Sequence, residues 1–83
     1  MSQPVDASFS MLVMSIASSA AFALGLSPDP QTGEIQKDKD MARFNIDLLV
    51  ILKEKTKNNL SQEESQLLEH LVSDLQLKFV QFK

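Results

Sequence analysis

The chain has 83 residues, so residues 1–83 make one small domain, near the size at which a single hydrophobic core stabilises a fold only marginally. It has no cysteine, which excludes disulfides and thiolate metal sites and favours a cytoplasmic setting. Its net charge is −3 and its lysines are interspersed with acidic residues, so we expect no basic surface for nucleic acid.

The first predicted element is a helix over about residues 7–25, within a segment that carries no charge from Ala7 to Pro28. One broad face of this helix collects Phe9, Leu12, Val13, Ile16, Ala20 and Leu24. The opposite face is not polar, as an amphipathic surface helix would require. Its residues are Met11, Met14, Ser18 and Phe22, with Ser and Ala between them. Both faces therefore need cover from water.

Capping residues mark both ends of this helix. Asp6 or Ser8 can accept hydrogen bonds from free N–H groups at its start. Gly25 can adopt the left-handed conformation that is common just past a helix end. The turn-forming segment 26–37 follows, and its two prolines and its Thr-Gly pair predict a rigid corner between helices. A loop that contacts a ligand is the alternative for this segment.

The second predicted helix runs over about residues 38–57, and Asn58 or Asn59 can supply a left-handed stop. Its apolar residues form two neighbouring stripes that together cover well over half of the circumference. The first stripe contains Met41, Phe44, Leu48, Ile51 and Leu52. The second stripe contains Ala42, Ile46, Leu49 and Val50. We expect this helix to be more buried than a small monomer easily allows.

The third predicted helix runs over about residues 61–82 and has the clearest start of the three. Ser61 and Glu64 are spaced as a capping box, in which each side chain satisfies a backbone N–H. Apolar residues then recur at alternating spacings of four and three, as in helices with heptad-like packing. These residues are Leu68, Val72, Leu75, Phe79 and Phe82. Because the preceding turn is short, the second and third helices are expected to form an antiparallel hairpin.

The sequence thus predicts an all-α fold of three helices that assembles as an oligomeric bundle. Each large apolar side chain left exposed on the first helix forgoes about 1.5–3 kcal/mol. Several of them together approach the whole stability of a small domain, about 5–15 kcal/mol. Self-association, most simply as a two-fold dimer, would cover them. The predicted interface consists of Met11, Met14, Ser18, Phe22, Ile46 and Val50.

A membrane-anchored protein is the alternative, with segment 7–28 as its span. The segment has the length of roughly 20 residues that a transmembrane helix needs. Its serines weaken insertion, and the chain has no Trp or Tyr to anchor a span at the interface. Self-association is therefore the preferred hypothesis. The protein is also expected to dock on another, unidentified protein. Contact of this helix with a membrane is kept as the alternative.

No catalytic, cofactor or metal site is expected. His70 is the only histidine, and Asp74 is the one convenient partner it has for a metal ion. The serines of the first helix have no base on that helix to activate them. The chain is therefore expected to be a non-enzymatic interaction or structural module without a cofactor. An enzyme or ligand carrier that uses an oligomer cavity is the third hypothesis.

Three stretches of the chain resemble a known bacterial family. They are FSMLVMSIASSAAFALG at 9–25, PDPQTG at 28–33 and IDLLVILKEKTKNNLSQEE at 46–64. On these stretches the chain resembles the small proteins grouped as domain of unknown function 1844. The family pattern commonly has Gly where this chain has Asn58, which tolerates the same left-handed conformation. The resemblance implies a short, soluble, helical protein of bacterial origin, and it implies no activity and no functional residues.

Overall fold

The computed structural model describes residues 7–28 and 31–82 of the chain. Within these ranges the chain forms three helices and no strand. The helices are α1 (Phe9–Ala23), α2 (Lys39–Lys55) and α3 (Gln62–Val80). The all-α fold predicted from the sequence is therefore confirmed, and each helix begins and ends within two residues of its predicted limits.

Each helix starts at a side chain that accepts a hydrogen bond from a free backbone N–H. Ser8 is the N-cap of α1, Asp38 that of α2 and Ser61 that of α3. The Glu64 carboxylate accepts from the Ser61 N–H at 2.9 Å, and the Glu64 N–H donates to Ser61 Oγ at 3.1 Å. These two bonds complete the predicted capping box. The other predicted cap of the first helix, Asp6, lies outside the described residues.

α1 ends in a tight reversal at Gly25. This residue has a φ of +77°, the left-handed conformation expected for it. The Gly25 N–H donates to the Phe22 carbonyl and the Leu26 N–H to the Ala21 carbonyl, which is the bond pair of a Schellman motif. A Cβ at Gly25 would lie 2.9 Å from Lys37 Cγ, so both the conformation and the space favour glycine there.

The segment between α1 and α2 closes back onto the end of α1. Leu24 and Lys37 form an isolated antiparallel bridge, and the Asp38 N–H donates to the Ala23 carbonyl at 2.8 Å. The start of α2 is therefore tied to the end of α1. Pro30, which belongs to the predicted rigid corner, lies outside the described residues.

The connection from α2 to α3 is a short turn. Asn58 has a φ of 71°, the left-handed conformation predicted for a stop at this position. The Asn59 N–H donates to the Thr56 carbonyl at 2.9 Å. The two helices also meet far from this turn, since Lys39 Nζ lies 5.7 Å from the centroid of the Phe79 ring.

The core lies where the three helices meet. Its largest fully buried side chains are Val13, Leu49 and Leu68, one from each helix. The other core residues are Ala17, Ala20, Ala23, Leu24, Ala42, Ile46, Val72 and Leu75. Because α1 contributes mainly alanines, the other helices can approach its backbone closely.

The fold is thin in one direction. Its Cα atoms extend over 39 × 36 × 15 Å. Two crossed helices alone occupy about 13–15 Å between their outer Cα atoms, given interaxial distances of 8–10 Å and a Cα radius of 2.3 Å. A third layer of helix therefore does not fit along the thin direction, and α1 keeps an outer face that the described residues leave uncovered.

Candidate self-association surface

The outer face of α1 carries no charged side chain. It consists of the exposed Met11, Leu12, Met14, Ser15, Ser18 and Ser19 and the half-buried Phe22, which we call the α1 outer face. Met11 is 45% exposed and Met14 is 43% exposed. A helix whose outer side faces only water normally carries charged or polar residues there. This face instead has the composition of a contact surface.

Two of the three serines of the α1 outer face add little polarity to it. The Ser15 hydroxyl donates to the Met11 carbonyl at 2.9 Å, and the Ser19 hydroxyl donates to the Ser15 carbonyl at 3.2 Å. Because these donors are paired with carbonyls of their own helix, covering the two serines leaves neither hydroxyl proton unsatisfied. These two serines can therefore be buried at a small desolvation cost.

The α1 outer face continues onto α2 across a shallow depression of about 220 Å³. Ser19 and Phe22 line it from α1, and Met41 and Asn45 line it from α2. Asn45 is only 7% exposed, and its Nδ2 donates to the Met41 carbonyl at 2.9 Å. The remaining lining residues are Ala23, Glu34, Gln36 and Asp38. The apolar surface therefore has an acidic border at the C-terminal end of α1.

A larger open cleft of about 740 Å³ lies beside the turn between α2 and α3. Its apolar lining comes from Val50, Leu60 and Leu68. Its charged lining residues are Lys53, Glu54, Lys57 and Glu69. Because two positive and two negative groups border the same cleft, its charge favours no class of ligand. The α1 outer face remains the better candidate site.

A comparison with known protein families identifies the family of this chain. The family model described as "Domain of unknown function (DUF1844)" matches residues 6–81. The chain belongs to this family. The resemblance noted from the sequence is thereby confirmed. No curated protein and no solved structure matches the chain.

In this DUF1844 chain the six predicted interface residues lie in different surroundings. The exposed ones are Met11, Met14 and Ser18. Phe22 and Val50 are half-buried. Ile46 is 5% exposed and packs in the core of the single chain, so its side chain does not reach the surface as the interface prediction requires. The interface formed by the others remains a prediction.

The two apolar stripes of α2, which the sequence predicts to be more buried than a small monomer easily allows, differ in exposure within the single chain. Ala42, Ile46 and Leu49 of the second stripe are buried in the core. Met41, Phe44 and Ile51 of the first stripe are exposed. Sequence reasoning missed the buried Asn45 because it is polar. Its position was nevertheless indicated, since residues 42, 45, 46 and 49 follow the i, i+3, i+4, i+7 pattern of one helix face.

Among residues 7–28 and 31–82, no group of three or more His, Asp and Glu side chains is placed to hold a metal ion. His70 is exposed on α3. Asp74, its expected partner, instead accepts a hydrogen bond from Lys78 Nζ at 2.9 Å.

The segment proposed as a membrane span does not form one continuous helix. α1 ends at Ala23 after 15 residues, a length of about 22 Å, whereas the hydrocarbon core of a bilayer is about 30 Å thick. In the part of the chain that the structure describes, no helix combines the length and the apolar character needed to cross a membrane.

Proposed function

We propose that this protein is a non-enzymatic helical module that self-associates through the α1 outer face. The observation that carries the proposal is a row of exposed, uncharged side chains on a chain whose net charge is −3. Two copies repel each other through their like net charge, and at this face no charges meet. Covering Met11 and Met14, each a little under half exposed, recovers about 1–3 kcal/mol in total.

The area of the surface fits a small two-fold interface. A large apolar side chain presents roughly 200 Å² when it is fully exposed, so four such residues at their present exposures offer about 350 Å². These four are Met11, Leu12 and Met14 of the α1 outer face and Met41 of α2, which lines the adjoining depression. The serines and Phe22 bring the area to roughly 500 Å² per copy, or about 1,000 Å² for the pair, which reaches the lower limit for a specific interface.

The α2–α3 pair forms the second part of the proposed module, as an antiparallel hairpin behind α1. The short turn at Asn58 and the contact between Lys39 and Phe79 support this arrangement. The charged side chains of α3 then supply the surface that remains in water after α1 is covered.

The proposed setting is the bacterial cytoplasm, where small domains without disulfides are commonest. The proposal includes no cofactor and no nucleic acid, because the chain is acidic and its lysines are interspersed with carboxylates. Docking on another protein is a second proposed role, and the exposed Phe44 and Ile51 on α2 favour it.

The variant Met14→Asp tests the proposed surface. Because Met14 is on the outer face, Asp there is solvated in a single chain, but in a pair it would put a charge into an apolar contact. We expect light scattering to give the mass of one chain for Met14→Asp and of two chains for the natural protein. Far-ultraviolet circular dichroism should be unchanged.

The matched control is Leu77→Asp, because Leu77 is exposed on the outer side of α3. This variant should keep the mass of the natural protein. Phe22→Asp provides a second substitution at the other end of the α1 outer face. If Met14→Asp and Phe22→Asp both stay folded with the mass of the natural pair, the assigned surface is wrong.

A further inference from the structure

We infer that the two copies pair through an antiparallel crossing of their α1 helices, centred between Ser15 and Ser18; this rests on the self-association proposed above. The α1 outer face has small serines beside that midpoint and a large side chain toward each end. Outward from the midpoint, the row contains Ser15, Met14, Leu12 and Met11 on one side and Ser18, Ser19 and Phe22 on the other. Both ends of the row are therefore large and its centre is small.

An antiparallel two-fold axis at this midpoint places Met14 opposite the second copy's smaller Ser19 and Leu12 opposite its smaller Ala21. Ser15 would face the second copy's Ser18, and Met11 would face the second copy's Phe22. Two serines at the centre allow the helix backbones to approach closely. The Met11 thioether against an aromatic ring is a favourable contact and fills the space toward each end.

The charges at the two ends of α1 favour the antiparallel direction over the parallel one. Glu34 and Asp38 line the depression beside Phe22, at the C-terminal end of α1. A parallel pairing would bring these carboxylates close to the same carboxylates of the second copy, which repel them. An antiparallel pairing would instead place them beside the start of the second copy's α1.

The start of α1 is a suitable neighbour for those carboxylates. The first turn of α1 contains no acidic residue, so the positive end of its helix dipole is not compensated by a charge within that turn. In the antiparallel crossing, Glu34 and Asp38 of one copy supply negative charge near this end of the other. These charges therefore favour the antiparallel direction, and the serines at the centre allow the close approach of the two helices.

Single cysteines can report the direction directly, because the natural chain has none. A disulfide requires Cα atoms within about 7 Å of each other. In the antiparallel crossing, the Cα atoms of the two Met11 residues are about 16 Å apart along the helix axes, given a rise of 1.5 Å per residue. In a parallel pairing these two residues would be direct neighbours.

The experiment mixes equal amounts of Met11→Cys and Phe22→Cys, oxidises them at low protein concentration and identifies the disulfides by intact mass. We expect the mixed disulfide to form more than about tenfold faster than either same-position disulfide, which needs a Cα distance outside the allowed range. Leu77→Cys on α3 is the control for random collision.

A second pair of variants keeps every large residue of the α1 outer face in place. Ser15→Cys and Ser18→Cys are mixed, with one of them labelled with nitrogen-15 so that the mixed product has its own mass. In the antiparallel crossing two Ser15 or two Ser18 Cα atoms are only about 4.5 Å apart along the helix axes, so both mixed and same-position disulfides can form. All of them should form faster than with Leu77→Cys, which tests whether the centre of α1 is at the interface rather than its direction.

The outcomes separate this inference from the self-association on which it rests. If Met11→Cys links to itself faster than to Phe22→Cys while the protein keeps the mass of a pair, the antiparallel crossing is overturned and self-association stands. If the natural protein has the mass of one chain and no variant cross-links faster than Leu77→Cys, both are overturned. If the pair persists but no α1 variant exceeds that control, α1 is not at the interface.

Discussion

α1 and α3 contribute to the same core, yet their outer faces differ in character. The outer side of α3 exposes residues such as Glu63, Glu69 and His70, whereas the α1 outer face exposes methionines, a leucine and serines. Packing against the core requires only an inner apolar side of each helix. The outer side is therefore free to differ, and its composition indicates whether a helix has water or another surface as its neighbour.

The ends of the two helices differ in the same way. α3 has Glu63 and Glu64 in its first turn and Lys78 in its last, and these charges oppose the helix dipole favourably. α1 has no acidic residue in its first turn and no basic residue in its last. α3 thus carries its own local stabilisation, whereas α1 depends on what packs against it.

The largest effect is expected from Val13→Asp, on the inner side of α1. Val13 is fully buried, so an unpaired carboxylate there should lower the free energy of unfolding by about 3–5 kcal/mol. The neighbouring Met14→Asp should change it by less than about 0.5 kcal/mol in a single chain, as surface substitutions usually do. Urea unfolding of both variants, under conditions where each has the mass of one chain, gives the comparison. If both variants lost the same free energy of unfolding, α1 would not have one inner and one outer side.

Gly25→Ala tests how the end of α1 is held. The left-handed conformation costs a residue with a Cβ about 1–2 kcal/mol. At Gly25 the Cβ would also meet Lys37 Cγ, whereas a Cβ at Gly33, φ +72°, has no atom within 4 Å. Gly33→Ala is therefore the matched control, and Gly25→Ala should lower the unfolding free energy by more. A smaller loss at Gly25 would contradict the close contact with Lys37.

A comparison of Ser61→Ala with Ser8→Ala measures how much the N-cap stabilises α3 and how much it stabilises α1. Loss of an N-cap side chain costs about 1 kcal/mol. At Ser61 the substitution also breaks a capping box, whereas Ser8→Ala removes only the single bond from the Met11 N–H at 3.1 Å. Thermal unfolding should show that Ser61→Ala lowers the melting temperature by more than Ser8→Ala does. A larger decrease for Ser8→Ala would reverse the contrast drawn between the two helices.

The smallest effect is expected from Asp74→Asn on α3. Asp74 and Lys78 form an i,i+4 pair whose side chains are 44% and 40% exposed, so solvent screens their attraction. Such a pair contributes at most about 0.5 kcal/mol, and less at high salt. Urea unfolding at low and high salt checks this. A loss above about 1 kcal/mol would mean that the outer side of α3 stabilises the fold more than an exposed ion pair can.

The sequence predicted the features that depend on a few neighbouring residues. Gly25 and Asn58 take the left-handed conformations expected of them, and Ser61 with Glu64 forms the expected capping box. These features depend on backbone conformation and on bonds between residues no more than a few positions apart. They do not require knowledge of how the helices cross.

The features that the sequence did not predict depend on the crossing of the helices. Leu12 was grouped on one face with Val13, but Val13 is buried whereas Leu12 is exposed. Ile46 was assigned to the interface but is in the core. Asn45 is buried although it is polar, because it lies on the same side of α2 as Ala42 and Leu49. Periodicity shows which residues share a side, but not which of two apolar sides the other helices cover.

The central claim, that the α1 outer face holds two copies together, is tested most directly by the absolute mass of the natural protein. Light scattering over a concentration series in detergent-free buffer is the measurement. The account predicts a mass of two chains at high concentration that falls toward that of one chain on dilution. A folded protein with the mass of one chain at every concentration would contradict it.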